Sequence, residues 1–316
     1  MSAERRRRHL LGIGDLTRDD ALRILDTARA LERSLDREVK KLPTLRGRLV
    51  VNLFYESSTR TLSSFELAAK RLSADTMTLR SSGSSVEKGE SLRDTAETLG
   101  AYDPDVIVIR HPHIGAPHIV ADATDALVVN AGDGKHQHPT QALLDLFTIR
   151  EALGRLEDVR VAIVGDVLHS RVARSLVEAL LLVGASPVAI GPPTLMPRGI
   201  ETLGCDVGAD ITAAADADVV YVLRMQQERM DAAYVPSLRE YTSLYGVTPG
   251  RVRPGQVVMH PGPMNRGVEI DPRVADSGAS LIVTQVRSGL VVRMAVLYDL
   301  LTAPGLQVAA PVLEVA

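Results

Sequence analysis

Short, unbroken apolar runs alternate with helical stretches along almost the whole chain, and this alternation narrows the fold more than any other feature. The runs are Leu49–Phe54, Thr76–Leu79, Asp105–Arg110, Leu127–Asn130, Arg160–Gly165, Pro187–Ile190, Val219–Leu223 and Val257–His260, with Leu281–Val286 as a ninth. Strand side chains point alternately to two faces, so a run that is apolar throughout must be covered on both. Parallel strands flanked by helices meet that requirement. The spacers carry helical periodicity. Asp19–Ser34 sets Ala21, Leu22, Leu25, Ala28 and Leu31 on one stripe, and Ser63–Leu72 does so with Phe65, Ala68, Ala69 and Leu72. Pro139–Leu153 opens with proline, where the missing N–H costs nothing. Arg171–Val183 follows a strand and a short turn, and Gly289–Leu301 is apolar and ends the pattern.

The fold expected from 316 residues so arranged is α/β with two domains, each a parallel sheet flanked by helices. The expected division is 1–138 and 139–287, with the terminal helical segment 288–316 packing back on the first unit. Gly191–Gly199, rich in proline and glycine, reads as a surface loop.

Composition removes several functional classes. Aromatic residues make up 3% and tryptophan is absent, so stacking platforms for single-stranded nucleic acid are lacking. A net charge of −3 gives no global attraction to nucleic acid or to an anionic membrane. No apolar run approaches the ~20 residues that cross a bilayer. The one cysteine, Cys205, permits neither an internal disulfide nor a thiolate zinc site, and fits a reducing, cytoplasmic setting. Arg5 to Arg8 read as a solvated terminus. Any anion binding must come from local clusters.

One such cluster follows the first apolar run. Ser57-Ser58-Thr59-Arg60-Thr61 crowds hydroxyls and a guanidinium into a turn that leads to a helix. A helix N-terminus offers unpaired N–H groups and a positive dipole end to phosphate, and Arg60 adds a cationic fork. A single hydroxyl would suffice for a cap. Arg110 stands at the end of another run, in Arg110-His111-Pro112-His113, at the sheet edge where ligands of open α/β folds sit. His138 and Gln141 lie three apart across a helix start and face one side. His111, His113, His136 and His138 offer imidazoles to a metal, but no carboxylate or thiolate spacing supports one.

The run Arg160–Gly165 leads through Asp166-Val167-Leu168-His169-Ser170 to Arg171. The glycine fingerprint of a dinucleotide site is missing, which argues against a dehydrogenase. Arg224 and Gln226 follow the run ending at Leu223, and His260-Pro261-Gly262-Pro263 forms a stiff turn after the last. The loop Ser84–Ser91 is polar and, taken alone, reads as a mobile surface loop. Arg60, Arg110, Arg171 and Arg224 thus each follow an expected strand. Four cationic forks at one edge repel one another unless anions sit among them. No nucleophile–histidine–acid series accompanies them, so the expected chemistry holds two anions together and stabilises a polar transition state.

In this ordered set the sequence resembles the aspartate carbamoyltransferase catalytic chain. Ser58–Thr61, Arg110-His111-Pro112, His138-Pro139-Thr140-Gln141 and His260-Pro261-Gly262-Pro263 carry the resemblance, which covers nearly the whole chain. It implies that Ser58, Thr59, Arg60 and Thr61 bind the phosphate of carbamoyl phosphate. Arg110, His138 and Gln141 hold the carbamoyl end, and the Gly262 and Pro263 carbonyls receive its NH2. Arg171, Arg224 and Gln226 take the aspartate carboxylates. Ser84 and Lys88 enter a neighbouring subunit's site, where Lys88 also meets aspartate. Arg60, Thr61, Lys88, Arg110 and His138 are then the catalytic set. The family implies a homotrimer with shared sites and no metal or organic cofactor, and leaves open a higher assembly with a regulatory chain or a dihydroorotase. Two departures stand out: Leu62 replaces a common arginine, and Leu203–Ala215 is short for the family. Ornithine carbamoyltransferase shares the phosphate turn. Arg171 and Arg224 would repel its cationic substrate, and Pro261-Gly262 stand where that sister family tends to have cysteine.

Overall fold

The computed structural model describes residues 9–80, 89–226 and 234–302. The apolar runs form two all-parallel sheets. The first contains β1 (Leu49–Phe54), β2 (Asp75–Arg80), β3 (Val106–His111) and β4 (Leu127–Asp133), ordered β2-β1-β3-β4. The second contains β5 (Arg160–Val164), β6 (Ser186–Ile190), β7 (Asp206–Gly208), β8 (Val219–Val222) and β9 (Val257–Met259), ordered β7-β6-β5-β8-β9. The fold is the expected two-domain α/β arrangement.

Residues of alternate parity enter different cores, which explains the unbroken apolar runs. In the first sheet Val50, Val106, Val108 and Val129 face one core, while Val51, Leu53, Ile107, Ile109 and Val128 face another beneath α3 (Leu92–Gly100) and α4 (Ala116–Ala123). In the second sheet Val161, Ile163, Val219 and Tyr221 join the first of these cores, while Ala162, Val164, Val220 and Val222 line a third. The shared core continues across α1 (Arg18–Glu32), α2 (Thr59–Arg71), α5 (Pro139–Leu153), α6 (Arg171–Leu182) and α9 (Ile282–Thr302). Helix α9 packs on α1, α2 and α5. The second sheet also carries α7 (Leu238–Tyr245) and α8 (Pro272–Ala275).

Two expectations need correction, and one strand is added. Within Leu281–Val286, residues from Ile282 onward open α9, so the run is not a strand. Its β-branched residues favour a strand locally, but burial of Ile282, Gln285 and Ser288 at helical spacing overrides that preference. Helix α2 starts at Thr59 rather than Ser63, so the hydroxyl-rich turn is itself the first helical turn, with Ser58 as N-cap. The short strand β7 also falls within Leu203–Ala215, with 3-10 turns at Ile200–Leu203 and Ile211–Asp216 around it.

Strand order changes direction between β1 and β3 in one sheet and between β5 and β8 in the other. Loops leaving the carboxyl ends of strands diverge at such points and leave a crevice. Arg60, Arg171 and Arg224 follow β1, β5 and β8, and Arg110 is the last residue but one of β3.

Candidate active site

The two crevices open into one cavity of about 610 Å³. Its walls include Ser58, Thr59, Arg60 and Thr61 after β1, Arg110 from β3, and His138 and Gln141 at the start of α5. Arg171 at the start of α6, Arg224 and Gln226 after β8, and Gly262 and Pro263 after β9 complete the sequence-derived set. The structure therefore brings together every expected site residue it describes. Ser84 and Lys88 lie outside the described residues. Among the described residues no three His, Cys, Asp or Glu side chains converge as a metal-ligand set; His111 and His113 lie together, with ring centroids 5.1 Å apart, but no third such group joins them.

Ser58 caps α2 without a side-chain hydrogen bond. The first-turn N–H groups are consequently available to an anion, with the helix dipole behind them. Arg60 lies over this turn. Its guanidinium pKa is lowered, first by burial and then by Arg224, which places cations from the two sheets within electrostatic reach. Gly262 adopts φ +61, and a Cβ there would stand 2.9 Å from Arg60 Cζ. Glycine thus supplies both a left-handed backbone and room for the guanidinium. His260 N donates to Gln285 Oε1 at 2.9 Å, and Gly262 N donates to His260 Nδ1 at 2.8 Å. These bonds curl the 260–263 turn toward the cavity.

His138 is the N-cap residue of α5 and is 3% exposed. Its backbone N–H donates to Ser175 Oγ at 2.8 Å, while its Nδ1 is buried without a partner among the described residues. Burial, then Arg110, Arg293 and Arg171, hold the imidazole pKa well below its ordinary value. The ring is neutral near neutral pH, with no positive charge to oppose those arginines.

Glu56 is one residue that sequence reasoning passed over. Its Oε1 lies 2.9 Å from Arg110 Nη2 and 2.6 Å from Arg171 Nη2, and its Oε2 lies 2.9 Å from Arg171 Nη1. One carboxylate thus joins the first sheet's arginine to the second sheet's. Gly132, at φ +118, leaves space for both guanidinium groups: a Cβ there would be 3.0 Å from Arg171 Nε and 3.2 Å from Arg110 Nη1. Arg293 of α9 also reaches the cavity, lying 5.2 Å from the Phe65 ring centroid. Burial lowers its pKa to about 10, with Asp145 opposing the fall. Leu62, the departure from the expected arginine, is buried in the shared core.

At the second sheet's edge Asp166 accepts from Gln226 N at 3.1 Å through Oδ2 and from His169 N at 3.2 Å through Oδ1. It therefore ties the loop of Arg224 and Gln226 to the turn that presents Arg171. Asn265 Nδ2 donates to Met225 O at 3.3 Å, which links the same loop to the turn after β9. The whole arrangement suits a ligand with an anion at each end and a polar, uncharged centre.

Comparison with known proteins assigns this arrangement. The model of the aspartate/ornithine carbamoyltransferase carbamoyl-P binding domain matches residues 8–151, and that of the Asp/Orn binding domain matches residues 157–300. The aspartate carbamoyltransferase catalytic subunit of Acidothermus cellulolyticus is 58% identical over 93% of this chain and 92% of its own length. That of Thermobifida fusca is 57% identical over 93% and 95%. Aspartate transcarbamoylase of Trypanosoma cruzi, solved in complex with carbamoyl phosphate and aspartate, superposes with a TM-score of 0.83 at 30% identity, covering 93% of this chain and 96% of that one. The catalytic subunit of the M. jannaschii enzyme superposes at 0.82 with 37% identity, covering 93% and 98%. By sequence, fold and site together, the chain belongs to the aspartate carbamoyltransferase catalytic-subunit family.

Proposed function

We propose that the chain transfers the carbamoyl group of carbamoyl phosphate to the α-amine of L-aspartate, releasing phosphate and N-carbamoyl-L-aspartate for pyrimidine synthesis. The observation that carries this reading is the single cavity in which Arg60 and Arg110 of one sheet meet Arg171 and Arg224 of the other. Ser58, Thr59, Arg60 and Thr61 bind the phosphate. Arg110, His138 and Gln141 hold the carbamoyl group, with the Gly262 and Pro263 carbonyls accepting from its NH2. Arg171, Arg224 and Gln226 take the two carboxylates of aspartate. The amine attacks the carbamoyl carbon, a tetrahedral intermediate forms, and the C–O bond to phosphate breaks. Neutral His138 donates a hydrogen bond toward the carbonyl oxygen as charge gathers there, and Arg60 offsets charge on the departing phosphate. Nucleophile and leaving group both arrive with the substrates, so no covalent enzyme intermediate is needed. The phosphate takes the proton.

Aspartate is preferred to ornithine on charge. Glu56 is the one carboxylate among the described cavity-lining residues, and Arg110 and Arg171 already hold it. The carbamoyl-phosphate unit comprises 1–138 together with α9 from residue 288, and the aspartate unit 139–287. The working form is a cytoplasmic homotrimer, with Ser84 and Lys88 completing a neighbour's site. The direct assay supplies carbamoyl phosphate with either amino acid. Phosphate release with a ureido product from aspartate is expected, and turnover of ornithine alone refutes the reading. Mixing Arg60→Ala with Lys88→Ala subunits tests shared sites: some activity returns on subunit exchange, and none returns if each site is built from one chain.

A further inference from the structure

Asp145 is a fully buried carboxylate, one helical turn beyond Gln141 on α5, and it touches no open space. It collects donors from three elements. Gln285 Nε2 of α9 donates to Oδ1 at 2.7 Å, and Tyr221 OH of β8 donates to Oδ2 at 2.8 Å. Gln141 Nε2 lies 3.2 Å from Oδ1 and 3.4 Å from Oδ2. An ionised carboxylate only accepts, so each of these groups must present a donor. Turning the Gln141 amide over would set two acceptor oxygens against each other. Its NH2 is therefore fixed inward, and its Oε1, with no partner among the described residues, is left to the cavity. Gln285 is fixed by the same logic, and its outward Oε1 holds the N–H of His260 at the root of the 260–263 turn.

Resting on the carbamoyl-phosphate reading of this cavity, we propose that Asp145 is a positioning residue: it makes Gln141 an obligate acceptor for the carbamoyl NH2. It also sets the 260–263 turn through Gln285, so that acceptors converge on the one end of the substrate that carries N–H. The site then distinguishes carbamoyl phosphate from acyl phosphates of the same size that bear a methyl in place of the NH2. Asp145 touches neither substrate.

Acetyl phosphate is the probe, since it keeps the phosphate and carbonyl and lacks the donors. Wild-type protein binds carbamoyl phosphate more tightly than acetyl phosphate. Asp145→Asn keeps the shape but presents one acceptor oxygen and an NH2 to three donors, which frees Gln141 to invert. The expected result is a fall of about tenfold or more in affinity for carbamoyl phosphate, the scale of one hydrogen bond replaced by an unsatisfied group. Inhibition by acetyl phosphate and by inorganic phosphate stays within about twofold. Equal weakening of all three ligands means general damage and overturns the proposal, as does unchanged discrimination. Adding Asp145→Asn to Gln141→Ala is expected to cost less than Asp145→Asn costs in the wild type, what remains being the share that acts through Gln285, and fully additive losses overturn the proposal.

If Asp145→Asn does not fold, wild-type protein supplies the test through pH. Burial raises the Asp145 pKa to about 7, against the lowering effects of Gln285, Tyr221, Gln141 and Arg293. Below that value its protonated oxygen can donate to Gln141 Oε1. Of the titratable groups that face it, Tyr221 from β8 is raised well above its ordinary value and Arg293 from α9 titrates at about 10, so neither changes charge near 7. His138, on the same helix, is held neutral there. The ratio of acetyl- to carbamoyl-phosphate affinities should therefore narrow as pH falls from 8 to 6, and a constant ratio overturns the proposal. Wild-type protein that binds neither acyl phosphate sinks the reading of the cavity instead, which is a separate outcome.

Discussion

Replacing Glu56 with glutamine keeps the volume of the side chain and removes the charge that two arginines share. The three contacts to Arg110 and Arg171 run from 2.6 to 2.9 Å. Hydrogen bonds to charged groups contribute about 1.5–3 kcal/mol each, and stripping one partner from a buried ion pair costs about 3–5 kcal/mol. The Glu56 side chain is 26% exposed, so water screens part of this and the uncharged amide recovers one weaker bond. A net loss of about 2 kcal/mol is expected. At about 2–4 °C per kcal/mol, the unfolding midpoint falls by about 4–8 °C. Calorimetry suits the measurement, because the chain has no tryptophan to report unfolding.

Inorganic phosphate gives the experiment its discriminating arm. Glu56 is a counter-ion of both Arg110 and Arg171. Without it Arg110 and Arg171 lose the carboxylate they share, in a cavity that Arg60, Arg224 and Arg293 also line, and an added anion relieves more repulsion than it does in the wild type. Ligand that binds the folded state stabilises it by mass action. Phosphate at constant ionic strength should therefore raise the variant's midpoint more than the wild type's and narrow the gap by about half or more. A gap that phosphate leaves unchanged or widens refutes the counter-ion argument, because Glu56 would then stabilise the fold for reasons unrelated to the anion site.

The neutrality of His138 predicts that its ring resonances stay constant as pH rises from neutral to alkaline, since burial and three arginines hold its pKa well below the ordinary imidazole value; nitrogen-15 NMR of the imidazole checks it. Gly262→Ala combines a left-handed φ, which costs an L-residue about 1–2 kcal/mol, with a Cβ 2.9 Å from Arg60 Nη2. It is expected to raise KM for carbamoyl phosphate with little loss of helix content, as steady-state kinetics and circular dichroism will report. Asp145 has a folded pKa of about 7 against about 3.9 unfolded. The folded state therefore binds more protons between those values, and this group's contribution is most favourable below pH 4 and declines as pH rises to 7, by up to ~4 kcal/mol. Urea titrations of wild type and Asp145→Asn at pH 5 and pH 8 should show the wild type losing stability relative to the variant as pH rises.

The parts of this site that could be read from sequence share one property: their position relative to a strand end is enough to place them. Arg60, Arg171 and Arg224 follow, and Arg110 ends, runs whose apolar character fixes them as buried parallel strands, and the carboxyl edge of such a sheet is where its ligands lie. Strand β7 escaped notice because Asp206–Gly208 is short, half polar and held by β6 alone. The Leu281–Val286 segment misled because β-branched residues report a local preference, while the helix there is set by packing on α5 and its neighbours.

Glu56, Asp145 and Arg293 were not found, for a different reason. The partner that gives Glu56 its role, Arg171, is 115 residues away, and nothing in the local sequence points to it. Asp145 and Arg293 did leave a signal. Each is a lone charge inside an apolar helical stretch, Leu143-Leu144-Asp145-Leu146-Phe147 and Val291-Val292-Arg293-Met294-Ala295. Both helices are buried almost all round, so neither charge has a polar face to escape to. Burying an unpaired charge costs far more than a fold of marginal stability can absorb, so such a residue implies partners on another element. Two helices each carrying one such charge, of opposite sign, are the natural place to look for them. The carboxylate and the guanidinium indeed influence each other's ionisation beneath the carbamoyl end of the cavity. A lone charge in an apolar stripe is thus a sequence-level pointer to a site's buried support, just as an arginine after a strand points to its rim.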